Sequence, residues 1–428
     1  MKKKTNKITF IDLFAGCGGL SEGFLQSGRF DALAHVEWDL PMVNTLRNRL
    51  KNKWKHSNED ANKRVIHFDI QKVKELIYGE WEEETIKSYG GANDKLVIDS
   101  GLMGLVGGNK VDLIIGGPPC QAYSIAGRAQ NNLSMQNDYR NYLFESFISV
   151  VHTFQPKLFV FENVPGMLSA KPGGKLVTER VYESFKEHNY EILEPKNLKS
   201  SILTSSDFGV PQERNRVIII GIRKDLKTES LNLETIYSEI NKQKRGNKKS
   251  VFDAIGHLPK FKPLNKINIV NGRRVSHAPM KYNDASVRNH IPRFHNERDI
   301  KIFREWISNN MNKCSTNERI KFYNDMLGKD SKHGKYRNLE WDMPSKTIVA
   351  HLQKDGLLFI HPDANQARSI TVKEAALIQS FPDDFEFIET MGYNYKMIGN
   401  AVPPLMAKKI AIAIAEVIQD SCLNKKFN

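Results

Sequence analysis

Cys120 stands directly after Gly116-Gly117-Pro118-Pro119, just beyond the apolar run Val111–Ile115. A cysteine that follows two prolines at a strand end is unlike a packing cysteine. Proline fixes φ and stiffens the approach, and a loop thiol is placed to react as its thiolate. Glu162 closes a second apolar run, Leu158–Phe161. A carboxyl there is costly unless it has a partner or a task, and one task is to protonate or hydrogen-bond a ring nitrogen. A salt-bridged strand end is the plain alternative. In Gln212-Glu213-Arg214-Asn215-Arg216 the two arginines alternate. In an extended segment that spacing turns both to one side, where they could hold a carbonyl oxygen or a carboxylate, or simply start an exposed basic strand.

A second group of residues suits a nucleotide-like ligand. Ile8–Phe14 is apolar and runs into Ala15-Gly16-Cys17-Gly18-Gly19, with a helix expected from about Leu20. Glycines let backbone approach a ligand closely, and the helix start offers free N–H groups. Glu37 ends the short apolar run Ala32–Val36, where an acid can take both ribose hydroxyls. Asp69 follows the apolar residues around Val65–Phe68 and could accept a bond from an adenine amino group. Either acid alone reads equally as a solvated loop carboxylate. Ile398-Gly399-Asn400-Ala401-Val402-Pro403-Pro404 precedes the last helical pattern, and by itself it says only loop, then helix.

The elements that must position these residues alternate. Short apolar runs end in Gly16, Glu37, Gly116 and Glu162, and Val217–Ile222 adds another. Helical patterns lie between them, clearest at Tyr142–Phe154, where Leu143, Phe144, Phe147, Ile148, Val151 and Phe154 share a face and Pro156 stops the helix. This alternation predicts a doubly wound α/β sheet. After Arg223 the texture becomes basic, polar and poorly periodic, with a basic loop at Lys242–Lys249 and a turn between short strands at Asn271–Arg274. Order returns at Ser369–Phe381, a helix start, and at Pro403–Ile418, a long helix. No structure is assigned to Gly79–Lys110.

The chain has 428 residues, of which 40% are hydrophobic and 26% charged. That is enough for a large domain and a smaller one. No apolar stretch of about 18 residues suggests a membrane span, and no signal core follows the basic N-terminus, so a cytoplasmic protein is expected. The four cysteines are scattered without CxxC or paired-histidine spacing, which argues against a disulfide framework or a metal site. The formal net charge of +14 suits a polyanion such as nucleic acid, although abundant Lys, Asn and Ile can also reflect genome composition.

In this order, DLFAGCGG, Glu37, Asp69, GGPPCQ, Glu162-Asn163-Val164, QERNR, the block from Arg368 through RSITVKEAALIQSFP to Pro382, and GNAVPP resemble the ordered blocks of the DNA cytosine-5 methyltransferase family. The likeness spans nearly the whole chain and is closest to the bacterial restriction-modification type. It implies a Rossmann-like α/β methyltransferase sheet with helices on both faces, formed by residues 1–225 and 393–428. It also implies a smaller target-recognition domain with a hinge over 226–392. S-adenosyl-L-methionine is the implied cofactor, lined by Phe14, Gly16, Gly18, Glu37, Trp38, Asp69, Ile70 and Pro119, with Asn400 and Val402 closing the pocket. Cys120 becomes the nucleophile on C6 of an extruded cytosine, Glu162 and Arg216 hold the base, and Arg214 supports them.

Double-stranded DNA is the implied partner. A cognate restriction endonuclease, a monomeric state and no metal are also expected. Arg273, Arg274 and Arg293 are candidates for base or phosphate contacts. The positions after the cysteine depart from the pattern, with Ala126 two residues after Ser124 where some relatives carry serine. An RNA cytosine-5 methyltransferase is disfavoured by the roughly 140 residues between QERNR and RSIT. A silent DNA-binding homologue is disfavoured by intact Cys120, Glu162 and Arg216, and a nicotinamide enzyme leaves GGPPC unexplained.

Overall fold

A computed structural model describes residues 7–119, 143–270, 272–280 and 287–424. The chain divides into two compact units. The first takes residues 1–209, 215–246 and 401–428, and the second 210–214 and 247–400. Residues through Gly246 stay with the first unit, so the change of texture after Arg223 precedes the physical boundary.

The first unit is built on an eight-stranded sheet. Its strands are β1 (Ile8–Leu13), β2 (Phe30–Glu37), β3 (Val65–His67), β4 (Leu113–Gly116), β5 (Leu158–Asn163), β6 (Tyr190–Glu191), β7 (Ile202–Thr204) and, after a two-residue strand β8 (Gln212–Glu213) that belongs to the second unit, β9 (Asn215–Arg223). The order is β3-β2-β1-β4-β5-β9-β6, with β7 also pairing β9. Strands β1 to β5 pair in parallel, while β9 runs antiparallel to β5, β6 and β7. The parallel strands are covered on both faces, which is why they appear in the sequence as continuous apolar runs. β1 is one residue shorter than its apolar run because Phe14 turns to φ +60°.

Helices pack on the sheet: α1 (Gly19–Gln26), α2 (Leu40–Asn52), α3 (Leu143–Phe154), α4 (Val177–Glu187), α5 (Leu233–Lys242) and the C-terminal helix Pro404–Asn424. α3 buries the face read from the sequence, and Phe147 meets Phe159 and Phe161 edge-on at ring separations of 6.0 and 5.2 Å. The C-terminal helix crosses α1 at Gly23, where an added Cβ would lie 2.5 Å from Pro404 O and 2.4 Å from Ala407 Cβ. The segment left unassigned, Gly79–Lys110, contains helices at Glu83–Tyr89 and Lys95–Val106.

The second unit holds a long hairpin, β10 (Phe261–Val270) with β11 (Arg273–Pro279), where only short strands were expected. A two-residue strand β12 (Ser345–Lys346) pairs β8. Its own core gathers Phe303 and Trp306 of α6 (Glu297–Ser308) with Tyr336 and Ile360. The helix α7 (Val372–Ile378) begins at a capping box of Thr371 and Glu374, and α8 (Met391–Asn400) ends the unit. Arg368 donates to both oxygens of Glu374 at 2.7 Å in a fully buried pair.

Candidate active site

Strand order places β2 and β4 on opposite sides of β1, so the connections diverge and a crevice opens at the carboxyl ends of β1 and β4. Both glycine motifs start there. Leu13 is in register with Gly116, and a Cβ on Gly116 would sit 2.4 Å from Leu13 O. After β1 the chain turns through Phe14, Gly16 and Gly18, with φ of +60°, +58° and +87°. An aromatic residue held in the left-handed region costs about 1–2 kcal/mol, a strain found mostly where function demands it. Gly18 then caps α1 without any side-chain bond, leaving first-turn N–H groups directed toward the crevice end of the helix.

Glu37 ends β2 beside this turn. One of its carboxylate oxygens accepts the N–H of Gly16 at 2.8 Å, and the other accepts those of Trp38 and Asp39 at 3.0 and 2.9 Å. A carboxylate has about four acceptor sites, so one remains for a ligand. Burial pushes the Glu37 carboxyl up to about 7, against the pull of the amide bonds from Asp39 and Gly16. Asp12, inside β1, is also raised to about 7, first by burial and further by Glu37, while the Ser21 hydroxyl bond opposes the shift. The second Asp12 oxygen is buried with no hydrogen-bond partner. Two raised carboxyls near one another are a mark of functional sites.

Around them, Trp38 leaves 60% of its surface exposed, Ile70 is buried, and Asp69 is half-buried with its oxygens taking Gln71 N and Nε2. Gly16 carries open space, since an added Cβ would meet only Met42 Sδ at 3.9 Å. Val402 O lies against Gly19, 2.6 Å from where a Cβ would be. Asn400, the last residue of α8, is exposed in the second unit. A close-approach glycine turn, a buried carboxylate with a free acceptor site and an exposed indole fit an adenosyl ligand.

At the end of β5, Glu162 accepts from Arg216 Nε at 2.7 Å, and both side chains are nearly buried. Gly117 makes room for that carboxyl, because a Cβ there would sit 2.5 Å from Glu162 Oε2. Asn163 Nδ2 donates to Pro118 O at 3.4 Å, tying the two loops together. Pro119, half-buried, is the last described residue before the gap, and Cys120, Ser124 and Ala126 lie outside the described residues. Cys17 is a different kind of cysteine: burial pushes its thiol up, so it packs rather than reacts.

The alternating arginines have separate partners. Arg214 is buried in the second unit and donates to Ile348 O at 2.8 Å and Gly399 O at 2.9 Å. Arg216 pairs with Glu162 in the first. Arg293, named above as a candidate base or phosphate contact, is half-buried, donates to Leu352 O at 2.7 Å and lies over the Tyr395 ring. Two residues quoted in the sequence motifs but given no role lie beside the candidate site, Asp12 and Asn163. An acid inside the apolar strand Ile8–Leu13 was the available signal for the first.

The whole arrangement has relatives. The family model of the C-5 cytosine-specific DNA methylase matches residues 8–80 and 92–416. The chain is 36% identical over 95% of its length to the type II methyltransferase M.Bpa9945I of Bacillus paralicheniformis, covering 98% of that protein. It is 30% identical over 96% of its length to M1.HphI of Haemophilus parahaemolyticus, covering 87% of it. Among solved structures, the Dnmt2 methyltransferase of S. pombe shares the fold, with a TM-score of 0.54 and 14% identity over 97% of this chain and 99% of that one. Among the described residues, no helix is long and apolar enough to cross a membrane.

Proposed function

The chain belongs to the C-5 cytosine-specific DNA methylase family, and from that membership we propose how its residues divide the work of methylating C5 of a cytosine in DNA with S-adenosylmethionine. When bound, the cofactor supplies a sulfonium methyl group open to displacement by an electron-rich carbon. Glu37 accepts a ribose hydroxyl with its remaining acceptor site, and Asp69 takes the adenine amino group. The open turn at Phe14–Gly18, the Trp38 indole, Ile70, Pro119 and Val402 wall the pocket.

The target base leaves the stack, at a cost of a few kcal/mol, to reach the crevice. Cys120, held by the stiff Pro118-Pro119 approach, attacks C6 as a thiolate. A sulfur–C6 bond forms as the C5=C6 electron pair moves to C5. Glu162, carrying a proton, gives or shares it with N3 and accepts from the exocyclic amine, and Arg216 grips O2, so the ring can take up the charge. C5 would then be the electron-rich carbon that takes up the methyl group which the cofactor's sulfonium would supply. A base then removes the C5 proton and the thiolate departs. Arg214 keeps the segment before β9 in place through its two carbonyl partners. The single observation carrying this assignment is the Glu162–Arg216 pair at 2.7 Å beside Gly117, an acid and a cation joined at a strand end where the absence of a side chain on Gly117 admits the carboxyl.

The second unit supplies target recognition. Its hairpin exposes Arg273 and Arg274, and basic side chains on a two-stranded ribbon suit the major groove. The relatives named as type II methyltransferases support a restriction-modification role with a cognate endonuclease at the same site. A monomer suffices for an asymmetric recognition unit.

The test is transfer of labelled methyl groups into unmethylated genomic DNA and total RNA, wild type beside Cys120→Ala, with conversion sequencing. Label at one short cytosine motif in DNA, absent in the variant that still binds cofactor, is the expected result. Label only in RNA, or equal label in the variant, overturns the assignment.

A further inference from the structure

Residues 81–91 fall in the break between the two matched stretches of the family pattern, yet they are wired into the proposed cofactor site. Trp81 packs on Phe68 with ring centroids 4.5 Å apart, and its indole N–H donates to Glu75 O at 3.1 Å. Tyr89 lies against both Phe68 and His67, at 5.5 and 5.1 Å. Lys72 donates to Thr85 Oγ1 at 2.5 Å. Just beyond the break, Ala92 O accepts from Arg47 at 2.7 Å, and the same guanidinium holds Val65 O at 2.6 Å.

Asn93 completes the contact. β3 is the edge of the sheet, so its outer N–H and C=O groups need partners. The Asn93 carboxamide supplies both. Its oxygen accepts His67 N–H at 2.9 Å, and its Nδ2 donates to His67 O at 2.8 Å and to Tyr89 O at 2.9 Å. His67 passes the restraint on, since its Nε2–H donates to Trp38 O at 2.9 Å, while Phe68 N–H donates to Glu37 O at 2.9 Å. Asp69 and Ile70 follow directly. Glu37, Trp38, Asp69 and Ile70 are thus each joined, by one hydrogen bond or along the chain, to His67 or Phe68, which the 81–93 segment holds.

We propose that residues 81–93 are a brace for the adenine end of the cofactor site, with Asn93 and Tyr89 as positioning residues acting through His67 and Phe68 on Trp38, Asp69 and Ile70. The proposal rests on the assignment of Glu37, Trp38, Asp69 and Ile70 to the cofactor. A side-chain amide that imitates a neighbouring strand sets the height of the loop after β3, and aromatic contacts on Phe68 keep that loop from swinging away.

Full-length wild type, Asn93→Ala, Tyr89→Leu and Glu37→Ala are compared by calorimetric titration with S-adenosylhomocysteine and with adenosine, and by steady-state methylation. The brace predicts that Asn93→Ala raises Kd for both ligands, and KM for the cofactor, about tenfold. It also predicts kcat at saturating cofactor and KM for DNA within twofold of wild type. Tyr89→Leu shows the same pattern more weakly and carries the test if Asn93→Ala does not fold. Unchanged ligand affinity in a folded variant, or equal losses in every parameter, overturns the brace. Glu37→Ala separates the two ideas. If it binds both ligands like wild type, the cofactor assignment fails and the brace with it. If it loses them while Asn93→Ala and Tyr89→Leu do not, only the brace fails.

Discussion

At the residue scale, Glu162 and Arg216 form the ion pair to which the holding of the base is assigned. The ion pair is nearly buried, so each charge depends on the other, and cutting one leaves the second uncompensated. Arg216→Ala is expected to lower kcat for methylation by about 10²-fold, the order seen when one donor to a developing charge is removed, with cofactor Kd unchanged. A matched loss of cofactor affinity in titration would place Arg216 elsewhere.

Glu37 makes a pH argument at the same scale. Its carboxyl is raised to about 7 by burial, so it is largely protonated below that pH in the free enzyme. Ribose hydroxyls donate to the ionised form, so binding favours loss of the proton. Cofactor affinity is therefore expected to rise as pH climbs through about 7 and then level off, and Glu37→Gln should flatten the profile. A wild-type Kd independent of pH between 6 and 8 would contradict this.

At the scale of elements, the contact between α1 and the C-terminal helix holds Pro404 and Val402 close against Gly23 and Gly19. Gly23 sits where the helices touch, with Pro404 O and Lys408 N each 2.5 Å from an imagined Cβ. Replacing a helical glycine by alanine ordinarily stabilises by about 1 kcal/mol. Here the added methyl meets backbone, which cannot yield as a side chain can, and overpacking of this kind costs about 1–3 kcal/mol. Gly23→Ala is expected to lower Tm, and a raised Tm would show that the helices can separate at no cost. Gly19 repeats the logic at Val402 O, so the same helix pair also sets the wall assigned to Val402.

Across the whole molecule, the two units answer acid differently. Burial lowers the imidazoles of His277, His295 and His361 in the second unit to about 4, 3 and 3, and that of His290 is lowered too. A histidine kept neutral in the fold stabilises fully above the ordinary value near 6.5, and that stability is lost as pH falls from 6.5 toward the folded value. Glu374 adds the same sign. Burial works against its charge, but Arg368 outweighs burial and holds the carboxyl well below the usual range, so its contribution also fades in acid. The first unit has two lowered histidines of its own, His35 at about 3 and His67, but Asp12 and Glu37 act oppositely and offset them. Their raised carboxyls favour the fold at low pH and lose that contribution as pH rises from about 4 to about 7. Scanning calorimetry between pH 7 and 4.5 should show the transition of the second unit falling faster than that of the first. Parallel shifts would refute this.

The proposed catalytic residues were suggested by residue order because their signals are local. A glycine turn after an apolar run, a cysteine behind two prolines and an acid at a strand end each carry their signal within a few residues. The doubly wound sheet followed from the alternation of apolar runs with helical faces, since strands buried on both sides leave unbroken hydrophobic stretches. What tertiary structure alone decided was pairing at a distance. Nothing near Arg214 or Arg216 tells that one meets two carbonyls and the other a carboxylate, because the partners lie 134, 185 and 54 residues away. Asn93 likewise reads as a polar loop residue until the sheet edge it completes is in view. Short-range order is written in composition and spacing, whereas a buried polar group takes its meaning from whichever distant group the fold brings to satisfy it.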